Sequence, residues 1–140
     1  MYSTVLLIHS WVRWLALAAG IGATTTRTER WALVAMIALD VQMLLGLLLY
    51  LVVSPNMAEI RAHFGEAMKN GQLRFWAVEH ITAMFIAVIL AHVGRVVARG
   101  ARTPEAMRTR ILICFGIATL LMLIGMPWPG LPYGRPLFRM

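Results

Sequence analysis

Apolar residues in this chain fall into four long runs separated by short polar or basic breaks. The runs cover residues 5–24, 31–53, 73–98 and 104–126. Each is close to the ~20 residues that a helix needs to cross a hydrocarbon core. Lipid offers no water to unpaired backbone groups, so the pattern predicts four membrane-spanning helices. The fold class that follows is all-α, a four-helix transmembrane bundle forming a single domain over residues 1–140. The first run lacks a basic leader and is interrupted by Arg13, so it reads as a span rather than a signal peptide.

The breaks carry their own signals. Between the second and third runs lies the one long connection, residues 54–71. Asn56 with Glu59 reads as a helix start there, and Asn70-Gly71 as a stop. Met57, Ile60, Phe64 and Met68 share one face of the intervening helix, 57–69, which predicts an amphipathic helix lying on the membrane interface. Thr103-Pro104-Glu105 combines an N-cap, a proline at the first helical position and an acid in the first turn. The tail, 127–140, holds Pro127, Pro129, Pro132 and Pro136 and cannot continue the fourth helix. Its Trp128 and Tyr133 suit an interfacial aromatic belt.

Composition agrees with this pattern. The chain is 60% hydrophobic and 14% charged, with a mean hydropathy of +0.73. A soluble domain is nearer ~45–50% apolar and ~25% charged, so one small core cannot hide this much apolar surface. The net charge of +7 does not point to nucleic acid, because the basic residues fringe the apolar runs instead of forming a stripe. With the N-terminal side named A and the other B, Arg27, Arg30, Arg95, Arg99, Arg102, Arg108 and Arg110 gather on B against only Glu29 and Glu105. Side A mixes Arg61, Lys69, Arg74, Arg135 and Arg139 with Glu59 and Glu66. The positive-inside rule then predicts a cytoplasmic side B, with both termini outward, on the periplasmic side in a Gram-negative bacterium. Cys114 stands alone in an apolar run, with no CxxC and no CxxCH for covalent haem attachment.

An ionisable residue inside a span costs at least ~2.5–3.5 kcal/mol to insert and is a candidate functional group by default. The candidates are His9, Arg13, Asp40, Glu79, His80 and His92, with Gln42 as a neutral companion. At ~1.5 Å rise per residue, His9 and His80 both lie roughly 8–9 Å to the A side of the midplane. Two histidines at one depth on different helices suit axial ligation of one haem iron. The face of His9 continues through Arg13, Ala16, Gly20 and Ala23, and that of His80 through Met84, Ala87, Ala91 and Gly94. These small residues either leave room for a flat macrocycle or let helices approach closely, and cross-helix hydrogen bonding of the histidines is the plainer alternative. Arg13 and Asp40 are placed to pair and cancel two lone charges. Arg74 is a candidate for haem propionates or a snorkelling anchor. Glu79 either orients His80 or is exposed at the interface. His92 has no histidine at its depth; with Met36 it makes a weaker case for a second haem.

The segments HSWVRW at 9–14, LLGLLLYLVVSP at 44–55, RFWAVEH at 74–80 and RILICFGIATLLMLIGMPWPG at 110–130 resemble a family of small bacterial four-helix membrane proteins labelled "cytochrome b". The likeness runs through nearly the whole chain in order and spacing. It implies one haem b, with His9 and His80 as the shared histidines, and it leaves His92 outside the pattern.

Three functions are open at this stage. The first is electron transfer by a bis-histidine cytochrome, as a subunit of a respiratory or photosynthetic complex in the bacterial inner membrane, with quinone as a possible partner. The second is a cofactor-free accessory subunit that docks through its aromatic tail and interfacial helix. The third is a proton or metal-ion pathway using Asp40, Arg13 and the histidines.

Overall fold

The computed structural model describes residues 1–138, and its elements are all helical, with no strand among the described residues. Arg139, counted above on side A, lies outside the described residues. Helix α1 spans Tyr2–Thr26 and α2 spans Glu29–Leu48, the latter running on through a π-helical turn at Leu49–Val53. Three short helices follow on side A: α3 (Pro55–Ala62), α4 (Phe64–Ala67) and α5 (Gly71–Arg74). A second π-helical turn, Phe75–Glu79, joins α5 to α6 (His80–Arg99), and α7 covers Pro104–Ile124. Four helical stretches, Tyr2–Thr26, Glu29–Val53, Gly71–Arg99 and Pro104–Ile124, are long and apolar enough to cross a membrane. The protein is a multi-pass, four-helix bundle.

The long helices form a ring in the order α1, α2, α6, α7, each packed against two neighbours, with α1 and α6 on one diagonal. Packing on side B is close because its residues are small. Ala16, Ala19, Ala23, Ala32, Ala35, Ala87, Ala91 and Ala98 are all buried, and Phe115 and Ile111 are the largest fully buried side chains among the described residues. At Gly94 an added Cβ would collide with Cys114 Cβ, so glycine sets the approach of α6 to α7. Such close contact replaces the hydrophobic drive that helices lack in lipid. Outward-facing Leu15, Leu44, Val96 and Ile124 remain exposed, as suits a lipid-facing surface.

Local signals explain most helix ends, and two differ from the sequence reading. Thr103 accepts a hydrogen bond from the Ala106 N–H with Pro104 at the first helical position, as expected. The surface helix, by contrast, is capped by Ser54, whose Oγ accepts from the Met57 N–H, and not by Asn56. Pro55 favours that earlier start, since it fits the first helical position and needs no amide partner. Asn70 is likewise a start and not a stop, its side chain accepting from the Gln72 and Leu73 amides at the head of α5. The expected single helix over 57–69 breaks at His63, leaving Met57, Ile60 and Ala67 buried and Phe64 exposed.

The tail folds back instead of protruding. Tyr133 stacks on buried Phe75 with ring centroids 3.6 Å apart, and Phe138 stacks on Trp14 at 5.4 Å. The Leu137 carbonyl accepts from Arg13 Nη2 at 2.6 Å and from Trp14 Nε1 at 3.2 Å. Tyr133 thus covers the bundle end, where the interfacial-belt expectation had it facing the headgroups.

Candidate cofactor site

The bundle opens on its A side into a cavity of about 520 Å³, within the ~300–1,000 Å³ range of cofactor and small-molecule pockets. Its walls come from all four spans, α3 and α4 lie over it, and the returning tail contributes Arg135 and Pro136. Of the small residues on the two histidine stripes, only Ala16 reaches the wall. The others close the B half, so the stripes serve helix approach rather than macrocycle room.

His9 and His80 both line this cavity, from the diagonal helices α1 and α6. His80 follows directly on the π-helical turn Phe75–Glu79, a one-turn irregularity frequent at functional sites. Its Nδ1–H donates to the Gly125 carbonyl at 2.7 Å, leaving Nε2 as the uncommitted nitrogen. Phe75 and Trp76 flank the imidazole at 5.8 and 5.6 Å between centroids, and Tyr133 holds Phe75 from behind. A backbone carbonyl on one ring nitrogen, with the other directed away, is how proteins orient a metal-ligating histidine.

His9 is held differently. The amide Nε2 of buried Gln42 donates to the His9 carbonyl at 3.0 Å and lies 3.3 Å from His9 Nε2. The ring faces α2 at Gly46, where an added Cβ would come within 3.3 Å of His9 Cε1. Among the described residues, His9 Nδ1, Gln42 Oε1 and Trp76 Nε1 are all buried without a hydrogen-bond partner. All three belong to residues lining the cavity. Buried polar atoms are rarely left unpaired, so a cluster of them round one space marks a place for a ligand with polar groups. His80 Nε2 has no protein partner as it stands, and His9 Nε2 is released once Gln42 gives up its longer contact.

Two cations face the cavity. Arg13 lines it while bonded to the tail, and Arg135 lies over the Trp76 ring at 5.4 Å. Arg74 is not among them. It pairs with Glu79 at 2.8 Å, both side chains about half exposed, and neither residue lines the cavity. That pairing corrects the assignment of Arg74 to the site and leaves Glu79 as an interface residue that does not touch His80's free nitrogen. The expected Arg13–Asp40 pair is also absent among the described residues. Asp40 instead accepts from His92 Nε2 at 2.8 Å on the seam between α2 and α6, away from the cavity. His92 is thus engaged with a carboxylate on a different face of the bundle and does not line the cavity that His9 and His80 share. His63 stands exposed on the cavity rim.

Arg135, Trp76 and Gly46 escaped the sequence reading. A signal existed for Gly46: Gln42 and Gly46, four apart, are the two non-aliphatic positions on one face of a leucine-rich helix. Arg135 had none, because a proline-rich tail carries no periodicity. No protein-family model matches the chain, and no curated protein or solved structure matches it either. The chemistry of the cavity therefore rests on its own residues.

Proposed function

We propose that this protein is a membrane-embedded b-type cytochrome that holds one haem b between His9 and His80 and passes electrons within a membrane complex. The observation that carries the proposal is the His80 imidazole, fixed through Nδ1 by Gly125 with Nε2 left for a metal, lining one cavity with His9. His9 and His80 would hold the haem, which would supply one-electron relay there rather than oxygen binding or hydrolysis.

The chain's own residues set the conditions. Gly125 fixes the tautomer and tilt of His80, and the Phe75–Tyr133 stack limits its swing. Gln42 can keep its 3.0 Å bond to the His9 carbonyl while releasing the imidazole. Arg13 and Arg135 offer guanidinium forks suited to propionates, and Trp76 adds an unused N–H donor. The cavity lies toward side A, so an electron donor would approach from that face or as quinol from the lipid. By the distribution of arginines, side A is the outer face of a bacterial cytoplasmic membrane and both termini lie there.

A spectrum tests this. Protein purified in detergent from cells supplied with haem is expected to show a Soret band that sharpens on reduction. His9→Ala and His80→Ala should each abolish it while the helical circular dichroism is kept. A colourless wild-type preparation would replace the cytochrome reading with that of a cofactor-free accessory subunit.

A further inference from the structure

The opposite end of the molecule holds a second cavity, of about 490 Å³, on the seam between α2 and α6. It is lined by Met36 from α2 and by His92, Arg95, Val96, Arg99 and Gly100 from α6 and its end. His92, Arg95 and Arg99 recur at spacings of three and four, so they share one helix face. From His92 to Arg99 that face covers roughly 10 Å along the axis, from within the span to its B end.

Its charge is unbalanced. The Asp40 carboxylate sits behind His92, to which it is bonded, and among the described residues no acid lines the groove itself beside Arg95 and Arg99. Arg95 Nε is buried and meets no acceptor among the described residues. A guanidinium N–H closed off from solvent and unpaired costs more than an ordinary lost hydrogen bond, and an anionic oxygen is the acceptor that would offset both the bond and the charge. The lipid-facing sides of α2 and α6 beside this groove expose Ile37, Ile89, Val93 and Val96, the last 72% exposed. An anion bound here would thus have a bed for hydrocarbon running from it into the bilayer.

We propose that this seam binds an anionic phospholipid, its phosphate on Arg95 and Arg99 and an acyl chain along the apolar ridge of α2 and α6. Basic pockets between spanning helices take such headgroups by the same chemistry. The apolar ridge favours a lipid over free phosphate. The inference is independent of any haem at His9 and His80.

The test uses the full chain in a mild detergent, offered equal amounts of phosphatidylglycerol and phosphatidylcholine, with retained lipid read by native mass spectrometry. Phosphatidylglycerol is expected to be retained at least about fivefold over phosphatidylcholine, the factor that a single cation near the surface supplies. Arg95→Gln with Arg99→Gln should bring the two lipids to parity. Arg27→Gln with Arg30→Gln removes equal charge from the same end and should leave the preference intact. Equal retention by the wild type overturns the proposal, as does loss of the preference in the Arg27/Arg30 control, which would mean diffuse surface charge. Displacement of phosphatidylglycerol by inorganic phosphate alone overturns the lipid assignment in favour of a soluble anion. Should the double variant fail to fold, Arg99→Gln at the exposed helix end must still lower the ratio, and an unchanged ratio overturns the proposal.

Discussion

Replacing Gly46 by alanine should separate the folding of this protein from its capacity to hold haem. The added methyl would come within 3.3 Å of His9 Cε1 and 3.9 Å of Nδ1. One turn back on the same face of α2, the Gln42 amide nitrogen is 3.3 Å from Nε2. The imidazole must therefore shift by a few tenths of an ångström, leaving its preferred rotamer at a cost of about 0.5–1.5 kcal/mol. If His9 ligates iron, that cost appears in haem affinity as a loss of roughly two- to tenfold. The helix gains by the same substitution, because alanine in a helix interior is favoured over glycine by about 1 kcal/mol. The apo-protein should then unfold no more easily than wild type while its haem titration weakens. Gly46→Val, with more bulk against the ring, should abolish binding with the bundle intact. Haem titrated into detergent-solubilised apo-protein gives the affinity through the Soret band, and denaturant unfolding followed by circular dichroism gives the stability. Wild-type affinity in Gly46→Val would refute the role given to His9.

Other expected outcomes follow from the same contacts. Gly94→Ala should destabilise the bundle by about 1–3 kcal/mol through overpacking against Cys114, and adding Cys114→Gly should recover part of the loss in denaturant unfolding. Arg135→Gln should lower haem retention on dilution by about tenfold, a charge-assisted hydrogen bond lost, whereas Arg74→Gln should not alter it, its side chain being engaged with Glu79. Asp40→Asn should leave the Soret band unchanged, since the Asp40–His92 pair sits on the far seam. A Soret band lost with that variant would show the two regions to be one site.

The four spans were legible because a membrane helix must be apolar along its whole length, and length together with polarity is what a sequence displays. The start at Thr103 was legible for a related reason, because a cap is a local contact between neighbours. Ser54 and Asn70 were misread although their caps are just as local, since adjacent residues offered competing caps and only the backbone path chooses between them. The π-helical turns left no mark, each being one extra residue that alters neither the length nor the general apolarity of its span. His9 and His80 could be set at one height from helix rise, but height says nothing of azimuth. That is why Arg74 and Asp40 were assigned inward partners and are found with Glu79 and His92. Arg135 reaches the cavity through a chain reversal fixed by long-range contacts, the Tyr133 and Phe138 stacks and the bonds to the Leu137 carbonyl.

The bond from Arg13 to the Leu137 carbonyl joins positions 124 residues apart. A ribosome adding ~5–20 residues per second needs roughly 6–25 seconds to make that stretch. The cavity wall supplied by Met122, Gly125 and Met126 is made just before this bond, so wall and tie are completed together in the last stretch of synthesis. A fusion that holds the last segment away from Arg13 would leave that end of the cavity without its tie, so a C-terminal tag bears on the site as well as on purification.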